Sequence, residues 1–313
     1  MDLLNYAIRR LGQTLPVALL VTVLIFMLIK LLPGDPAAAM LGDRASEASV
    51  QALRSQWGLD RPLWQQYAVY MQNLATGNLG QSLRYRTPVM DLLPRRATVT
   101  FFLIIYSMVL SLIMAVTLAV LAAVNRDRWP DHLMRGLITL PLASPAFWIG
   151  ILLLILFALR LKWFPAAGYG DGFLGHLKYL FLPALTLSNV TTAVLARNLR
   201  SSLIDVQQTT FVDFARAKGL VRRAVLFRHV LRAAMLPIVT LIGVRLSYAI
   251  GGSVVVETVF ALPGLGSWMV DSIFARDYMV VQTLTLAFAF GAMLINLATD
   301  LVYPLLDPRV RMG

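Results

Sequence analysis

Six apolar runs, each long enough or nearly long enough to cross a lipid bilayer, constrain this chain more than any other feature. A hydrocarbon core about 30 Å thick needs roughly 20 helical residues of low polarity. Runs near residues 11–32, 99–124, 136–159, 180–196, 237–256 and 279–303 supply them. Lipid offers no partner for a bare backbone amide, so each run has to close its hydrogen bonds within itself as a helix. The expected fold class is therefore all-α, a polytopic membrane protein with six transmembrane helices. Composition agrees: 58% of the 313 residues are apolar and 14% charged, and the mean hydropathy is +0.71. No soluble core needs that much apolar surface. The absence of cysteine excludes disulfides, haem attachment and thiolate metal sites.

A formal net charge of +12 would point to nucleic acid in a soluble protein. Here the cations crowd beside the apolar runs, where they orient a membrane protein and touch anionic lipid. Membrane lipids are therefore expected partners and nucleic acid is not. The N-terminus, residues 125–135, residues 197–237 and the tail hold two, three, eight and two Lys or Arg, fifteen of 28. Six crossings put both termini on one side, and this bias makes that side cytoplasmic. Residues 33–96 run against the bias with seven basic residues, but long translocated loops follow the charge rule poorly.

Taken in order, residues 1–32 form a cytoplasmic N-terminus and first span. The run after Arg9 and Arg10 is full length, with no small-x-small cleavage site before Pro-Gly-Asp-Pro, so a retained span is expected rather than a leader. Residues 33–98 are polar and predict a small external helical subdomain. Val50, Leu53 and Trp57 suggest one helix ended at Gly58; Leu63, Tyr67, Tyr70, Met71 and Leu74 make an apolar stripe that starts at Pro62. Residues 99–303 form a five-span core and residues 304–313 a cytoplasmic tail.

Within the core, polar groups mark candidate pore positions. Pro141 and Pro145 kink or break the third span, which is tolerated where neighbouring helices or a water-lined cavity satisfy the freed carbonyls. That places Pro145 against a pore, or at a simple packing kink. Trp163, Phe164 and Tyr169 suit an interfacial aromatic belt. The short fourth span carries Pro183, Asn189, Thr191 and Thr192, and such groups prefer another helix or a cavity to lipid. The fifth carries Arg245, Ser247 and Tyr248. An arginine near mid-span costs about 2.5 to 3.5 kcal/mol on insertion scales and must face protein or water. Residues 257–278, opening at Glu257, predict an outer re-entrant or surface segment around a Leu-Pro-Gly-Leu-Gly turn.

Residues 197–237 are the one long basic segment between spans. Thr210 followed by Asp213 reads as a capping-box start, and Gly219 suits a helix end, so a short helix over residues 210–218 is predicted. Phe211, Phe214, Ala215 and Lys218 share a face at helical spacing. A second helix is predicted from Val221 into Met235, with Arg222 near its start. On pattern alone this segment either binds a protein or lies among lipid headgroups, which leaves a membrane scaffold or lipid-binding protein as an alternative.

Chemistry of other kinds is missing from the sequence. No Gly-rich phosphate loop ending in Lys-Ser/Thr occurs, so the chain is not expected to bind or hydrolyse ATP. His132, His176 and His229 are isolated, no His-Glu-x-x-His or metal-ligand spacing appears, and neither a metal site nor a catalytic residue is expected.

The segments FVDFARAKGL and FRHVLRAAMLPIVT resemble the coupling loop of the ATP-binding-cassette importer permeases of the dipeptide, oligopeptide, glutathione and nickel group. LLPGDPA, WGLDRP, NLGQSLRYRTPV, VVVETVF, PGLG, RDY and the DPR tail match that family in order, over nearly the whole chain. The resemblance implies a type I ABC importer permease fold and half of a translocation pore for peptides, with nickel-chelate or glutathione import as alternatives. It implies a second homologous permease and two ATP-binding subunits, which carry the ATP and Mg. A periplasmic or lipid-anchored substrate-binding protein would meet the external segment. It also implies that Thr210, Phe211, Asp213, Phe214, Ala215, Ala217, Lys218, Gly219 and Arg222 contribute to ATPase coupling, and it places the chain in the bacterial inner membrane.

Overall fold

A computed structural model describes residues 3–31, 46–56 and 58–306. The expectations placed on Leu-Pro-Gly-Asp-Pro, Trp57 and the DPR tail lie outside the described residues. Among the described residues the structure is helical, and its one extended pairing is an isolated bridge between Gln81 and Pro88.

Twelve helical elements follow in order: α1 (Leu3–Leu31), α2 (Glu47–Gln56), α3 (Leu63–Ala75), α4 (Val89–Val124), α5 (Trp129–Ala143) and α6 (Ala146–Arg160). Then come α7 (Gly172–Gln207), α8 (Thr210–Ala217), α9 (residues 222–234), α10 (Leu236–Val259), α11 (Leu265–Phe274) and α12 (Tyr278–Leu306). The second half of α6, Leu154–Arg160, and the middle of α9, Val225–Val230, are wound as π-helix.

Five helices, α1, α4, α7, α10 and α12, are long and apolar enough to cross a membrane, and α5 with α6 makes a sixth crossing when the bent pair counts as one. Pro141 and Pro145 do more than kink that third span. The chain turns by 109° between Ala143 and Ala146, with Pro145 extended as the residue before α6. Pro145 has no N–H to give and forbids α conformation at Ser144, so one helix ends and another starts.

The long helices overrun their apolar windows. α4 starts at Val89 and includes Arg95 and Arg96, and α7 runs from Gly172 through Gln207 where residues 180–196 alone had the apolar pattern. These two form the central pair. Lipid gives no hydrophobic drive for one helix to prefer another, so close packing of small residues decides the contact. Ala115, Ala119, Ala122 and Ala123 of α4 are buried, and Ser111 donates to Ser107 O at 2.8 Å and toward Ser188 O of α7 at 3.3 Å. The α10–α12 contact is closer still, because a Cβ on Gly243 would land inside the Thr299 side chain.

Against α1 lies the apolar stripe of α3. Tyr67 shares a 2.8 Å hydrogen bond with Thr22, and the rings of Tyr67 and Phe26 meet edge-on at 5.5 Å. The stripe therefore packs on its own chain. Residues 79–88 are tied to the start of α12 by Asp277, whose Oδ2 accepts from Ser82 Oγ at 2.6 Å and from Arg84 N at 3.3 Å. A cavity of about 450 Å³ remains between α3, this loop and α12, lined by Tyr70, Leu74, Leu79, Met279 and Gln282 among others.

Candidate functional site

The basic end of the bundle is built around α8. Its first residue is Thr210, but the capping residue is Thr209, and neither threonine closes a box. Thr209 Oγ1 donates back to Val206 O at 2.6 Å, and Asp213 instead accepts from Arg216 Nη1 at 3.2 Å on the surface. With Thr209 as the cap, Asp213 falls one place beyond the third helical residue and no side chain bonds the free amides of α8, so the predicted capping box is corrected. The other end follows expectation. Gly219 is left-handed at φ +79°, its N–H donates to Arg216 O at 2.9 Å, and Leu220 N–H reaches Ala215 O at 3.4 Å. That double closure around a left-handed glycine is a Schellman end.

The predicted face of α8 splits in two. Ala215 turns inward beside Val212, and both are buried. Phe211 and Phe214 stay 46% and 63% exposed, and Lys218 lies over the Phe214 ring, with Nζ 4.7 Å from its centroid. Thr210, Asp213, Ala217 and Arg222 are exposed as well. Val212 is the buried anchor that the sequence reading missed, although its i, i+3 spacing to Ala215 was the available signal. Val212 and Ala215 belong to one apolar cluster with Ala119 of α4, Leu199 and Leu203 of α7, Val230 of α9 and Ile238 of α10. α8 thus packs on the π-wound middle of α9 and shares one apolar cluster with α7 and α10, and Ser202 of α7 donates to Ala234 O of α9 at 3.1 Å.

Across the membrane-crossing region, the uncovered stripes of two helices differ in chemistry. On α4 the exposed residues are Phe101, Ile105, Val109, Ile113, Thr117, Leu121 and Val124. The one hydroxyl there is satisfied by Ile113 O at 2.7 Å. On α10 they are Thr240, Val244, Tyr248, Gly251, Val255 and Thr258. Arg245 and Ser247 flank that second stripe, half-buried, and Ser247 Oγ donates to Asn296 Oδ1 of α12 at 2.8 Å. An apolar stripe suits lipid, whereas polar and charged groups within a span face protein or water.

The comparisons with known proteins fit this arrangement. Residues 115–312 match the family described as binding-protein-dependent transport system inner membrane component, and residues 3–104 match the N-terminal model of the same membrane components. The glutathione transport system permease protein GsiC of Escherichia coli O6:H1 (strain CFT073) is 40% identical over 309 residues, covering 99% of each chain. GsiC of Escherichia coli strain K12 and of Shigella dysenteriae serotype 1 match at the same identity and coverage.

The chain belongs to the binding-protein-dependent permease family. It is an ABC importer permease of the dipeptide and glutathione group, a multi-pass inner-membrane pore subunit with no ATPase site of its own. The family works with ATP-binding and substrate-binding partners. A solved structure, the inward-facing MetNI methionine ABC transporter in its CY5 native crystal form, shares the fold with a TM-score of 0.59 at 16% identity, over 69% of this chain and 97% of that one.

Two buried carboxylates of the permease were missed or misplaced by sequence reasoning. Asp131, in the first turn of α5, is fully buried and accepts from Arg200 of α7, Nε to Oδ1 at 2.8 Å and Nη2 to Oδ2 at 2.6 Å. Asp127 N–H adds a third bond at 3.1 Å. Residues 125–135 had been read for their arginines alone, and no local pattern joins positions 69 residues apart.

Glu257 is the second, and its expected place at the head of the segment after the fifth span is corrected. It lies inside α10, fully buried, accepting from Thr100 Oγ1 at 2.7 Å, Gly266 N at 2.7 Å and Ser267 N at 3.1 Å. Thr100 Oγ1 in turn accepts from Leu265 N at 2.8 Å. The carboxylate therefore holds the start of α11, where free amides need an acceptor. The glycines of Pro-Gly-Leu-Gly are there because a Cβ on Gly264 would strike this carboxylate. On Gly266 it would come within 2.5 Å of Val254 Cα.

The remaining pore candidates of the permease are scattered. Thr192 is buried within α7 with no hydrogen-bond partner for its hydroxyl, Asn189 is half-buried one turn earlier, and Pro145 is exposed at the α5–α6 break. Only Arg245, Ser247 and Tyr248 gather on one surface. No three His, Asp or Glu side chains converge as a metal site among the described residues.

Proposed function

We propose that this permease forms half of the translocation pore of an ATP-driven importer for glutathione or similarly small peptides. The observation that carries the substrate class is the 40% identity over 99% of both chains to a protein named for glutathione transport. Sequence patterns had put di- and oligopeptides first. Glutathione is itself a tripeptide, so the two readings share their chemistry, and nickel chelates stand behind both.

Both termini lie in the cytoplasm, and the second half of the pore is a homologous permease. Two ATP-binding subunits, carrying ATP and Mg, dock on the exposed Phe211, Phe214 and Lys218 face of α8, with Thr210, Asp213, Ala217 and Arg222 around it. A periplasmic or lipid-anchored binding protein delivers substrate to the opposite side. Closure of the ATPases on ATP moves α8. Val212 and Ala215 are embedded in the apolar cluster that also holds α7 and α10, so those two helices tilt with it. The uncovered stripe of α10 then lines the pathway that opens.

Copurification tests this. The chain is expressed with its neighbouring genes, captured in mild detergent and assayed for ATPase activity with binding protein loaded by glutathione, a dipeptide or a nickel chelate. The expected result is a complex of two permeases and two ATPases, stimulated most by the glutathione-loaded protein. A chain captured without any ATPase even at low salt would replace the importer with a lipid-contact role.

A further inference from the structure

Arg245 has no ion-pair partner among the described residues. It is the tenth residue of α10, roughly 14 Å along the helix axis and so near the middle of a roughly 30 Å apolar layer. Among the described residues no carboxylate lies within ion-pair distance of it, and its Nε is buried with no acceptor. Asp300, the acid on neighbouring α12, is engaged by Arg10 at 3.4 Å. The guanidinium instead lies beside Tyr248, with Cζ 5.7 Å from the ring centroid, and Tyr248 itself is 70% exposed.

Ser247, on the other flank of the stripe, is turned toward α12, with its Oγ donating to Asn296 Oδ1 at 2.8 Å. A planar guanidinium presents a fork of N–H groups matched to a carboxylate, and its cation is permanent. Holding such a group at mid-depth beside an open polar stripe, with no carboxylate among the described residues to pair it, calls for an acceptor that arrives.

Resting on the importer reading, we propose that Arg245, braced by Tyr248, binds a carboxylate of the substrate midway through the pore. Unmodified peptides carry one at the C-terminus, and glutathione carries two. A single unsupported cation fits a transport site, where binding has to be strong enough to admit the substrate and weak enough to release it. The same charge repels cationic chelates, so the pathway favours substrates with a free carboxylate beyond whatever the binding protein selects.

The test uses the whole assembly, both permeases with ATPases and binding protein, reconstituted in proteoliposomes. Uptake of trialanine and of trialanine amide is measured with binding protein verified as saturated, and normalised to copurified ATPase, for the wild type, R245Q, R245K and Y248L. The wild type is expected to import trialanine at least tenfold faster than its amide. R245Q is expected to lose that discrimination to within twofold, R245K to keep most of it, and Y248L to lose part of it. Tyr248 is exposed, so Y248L keeps the question answerable if R245Q assembles poorly. R245Q discriminating like the wild type overturns the proposal. So does an R245Q chain that no longer captures the partner permease while R245K does, since the partner of Arg245 would then be a residue of that subunit. A wild-type assembly that hydrolyses ATP and imports both probes equally removes the carboxylate site and leaves the importer standing. A chain that captures no ATPase removes both.

Discussion

Asp131 and Arg200 bind each other through two parallel hydrogen bonds, of 2.8 and 2.6 Å, that clamp the first turn of α5 onto α7 just before the chain enters the coupling loop. The carboxylate is fully buried and the arginine side chain 18% exposed. A second cation, Arg135, stands 3.7 Å from Oδ1.

Removing either partner strands the other, which is costlier than never having built the pair. D131A and R200A are each expected to lower stability by about 3 kcal/mol, the lower end of the range for buried pairs because Arg200 keeps contact with solvent. R200K is expected to recover less than half of that, since an ammonium cannot make the forked contact. Unfolding midpoints in detergent, with the D131A/R200A double variant closing the cycle, measure the coupling directly.

At the opposite rim, the Glu257 network makes its own prediction. E257A leaves the amides of Gly266 and Ser267 and the Thr100 hydroxyl without their acceptor, at a cost of about 1 to 3 kcal/mol for the first of these alone. G266A meets the backbone of Val254, which cannot step aside, and is expected to destabilise at least as much, whereas G77A meets no atom within 4 Å and bears only the strain of its left-handed φ. Thermal denaturation of the three variants side by side ranks them. A G266A no worse than G77A would mean that the close approach carries no constraint.

How far the fold was legible follows from which forces act locally. Apolar length located the five helices long and apolar enough to cross and the bent pair that makes a sixth when counted as one, because lipid imposes that length residue by residue. Boundaries were missed because a helix does not stop where lipid does: the ends of α7 are polar yet continue as helix through Gln207. Pro-Gly-Leu-Gly was read as a turn, yet only Pro263 and Gly264 lie outside helix; Leu265 and Gly266 already open the helix Leu265–Phe274, which was missed since the acceptor that starts it sits on α10. Thr210 and Asp213 had the spacing of a capping box, but the cap is Thr209, one residue earlier, which takes Asp213 out of register with it. In the candidate site, Phe211 and Phe214 were legible from spacing. The Asp131 clamp was not, because it depends on a contact that only the folded chain creates.

The α10–α12 contact is tested by bulk. Gly243 is buried, and a Cβ there would overlap Thr299. G243A is expected to cost about 1 to 3 kcal/mol through overpacking, and G243L to prevent the helices from meeting at all. Pairing G243A with T299A, which trims the facing side chain, is expected to return at least half of the loss. Stability of the double variant equal to that of G243A alone would show that the two helices do not meet there.

In the coupling role proposed for α8, docking and transmission rest on different residues, and two sets of variants separate them experimentally. Phe211 and Phe214 are exposed and contribute little to this chain's own core, so F211A/F214A is expected to leave its thermal stability unchanged while cutting ATPase capture at least tenfold. Gly219 is different: a Cβ there meets no atom within 4 Å, yet its φ of +79° is one that L residues avoid at roughly 1 to 2 kcal/mol, more when β-branched. G219V is therefore expected to keep the ATPase bound but to loosen the end of α8, so that hydrolysis continues with uptake reduced at least fivefold. G219N, which tolerates the left-handed conformation, is expected to restore most of the uptake. The ratio of substrate imported to ATP hydrolysed in proteoliposomes reads this out. Full uptake in G219V would show that the rigid end of α8 plays no part in transmitting ATPase closure to α7 and α10.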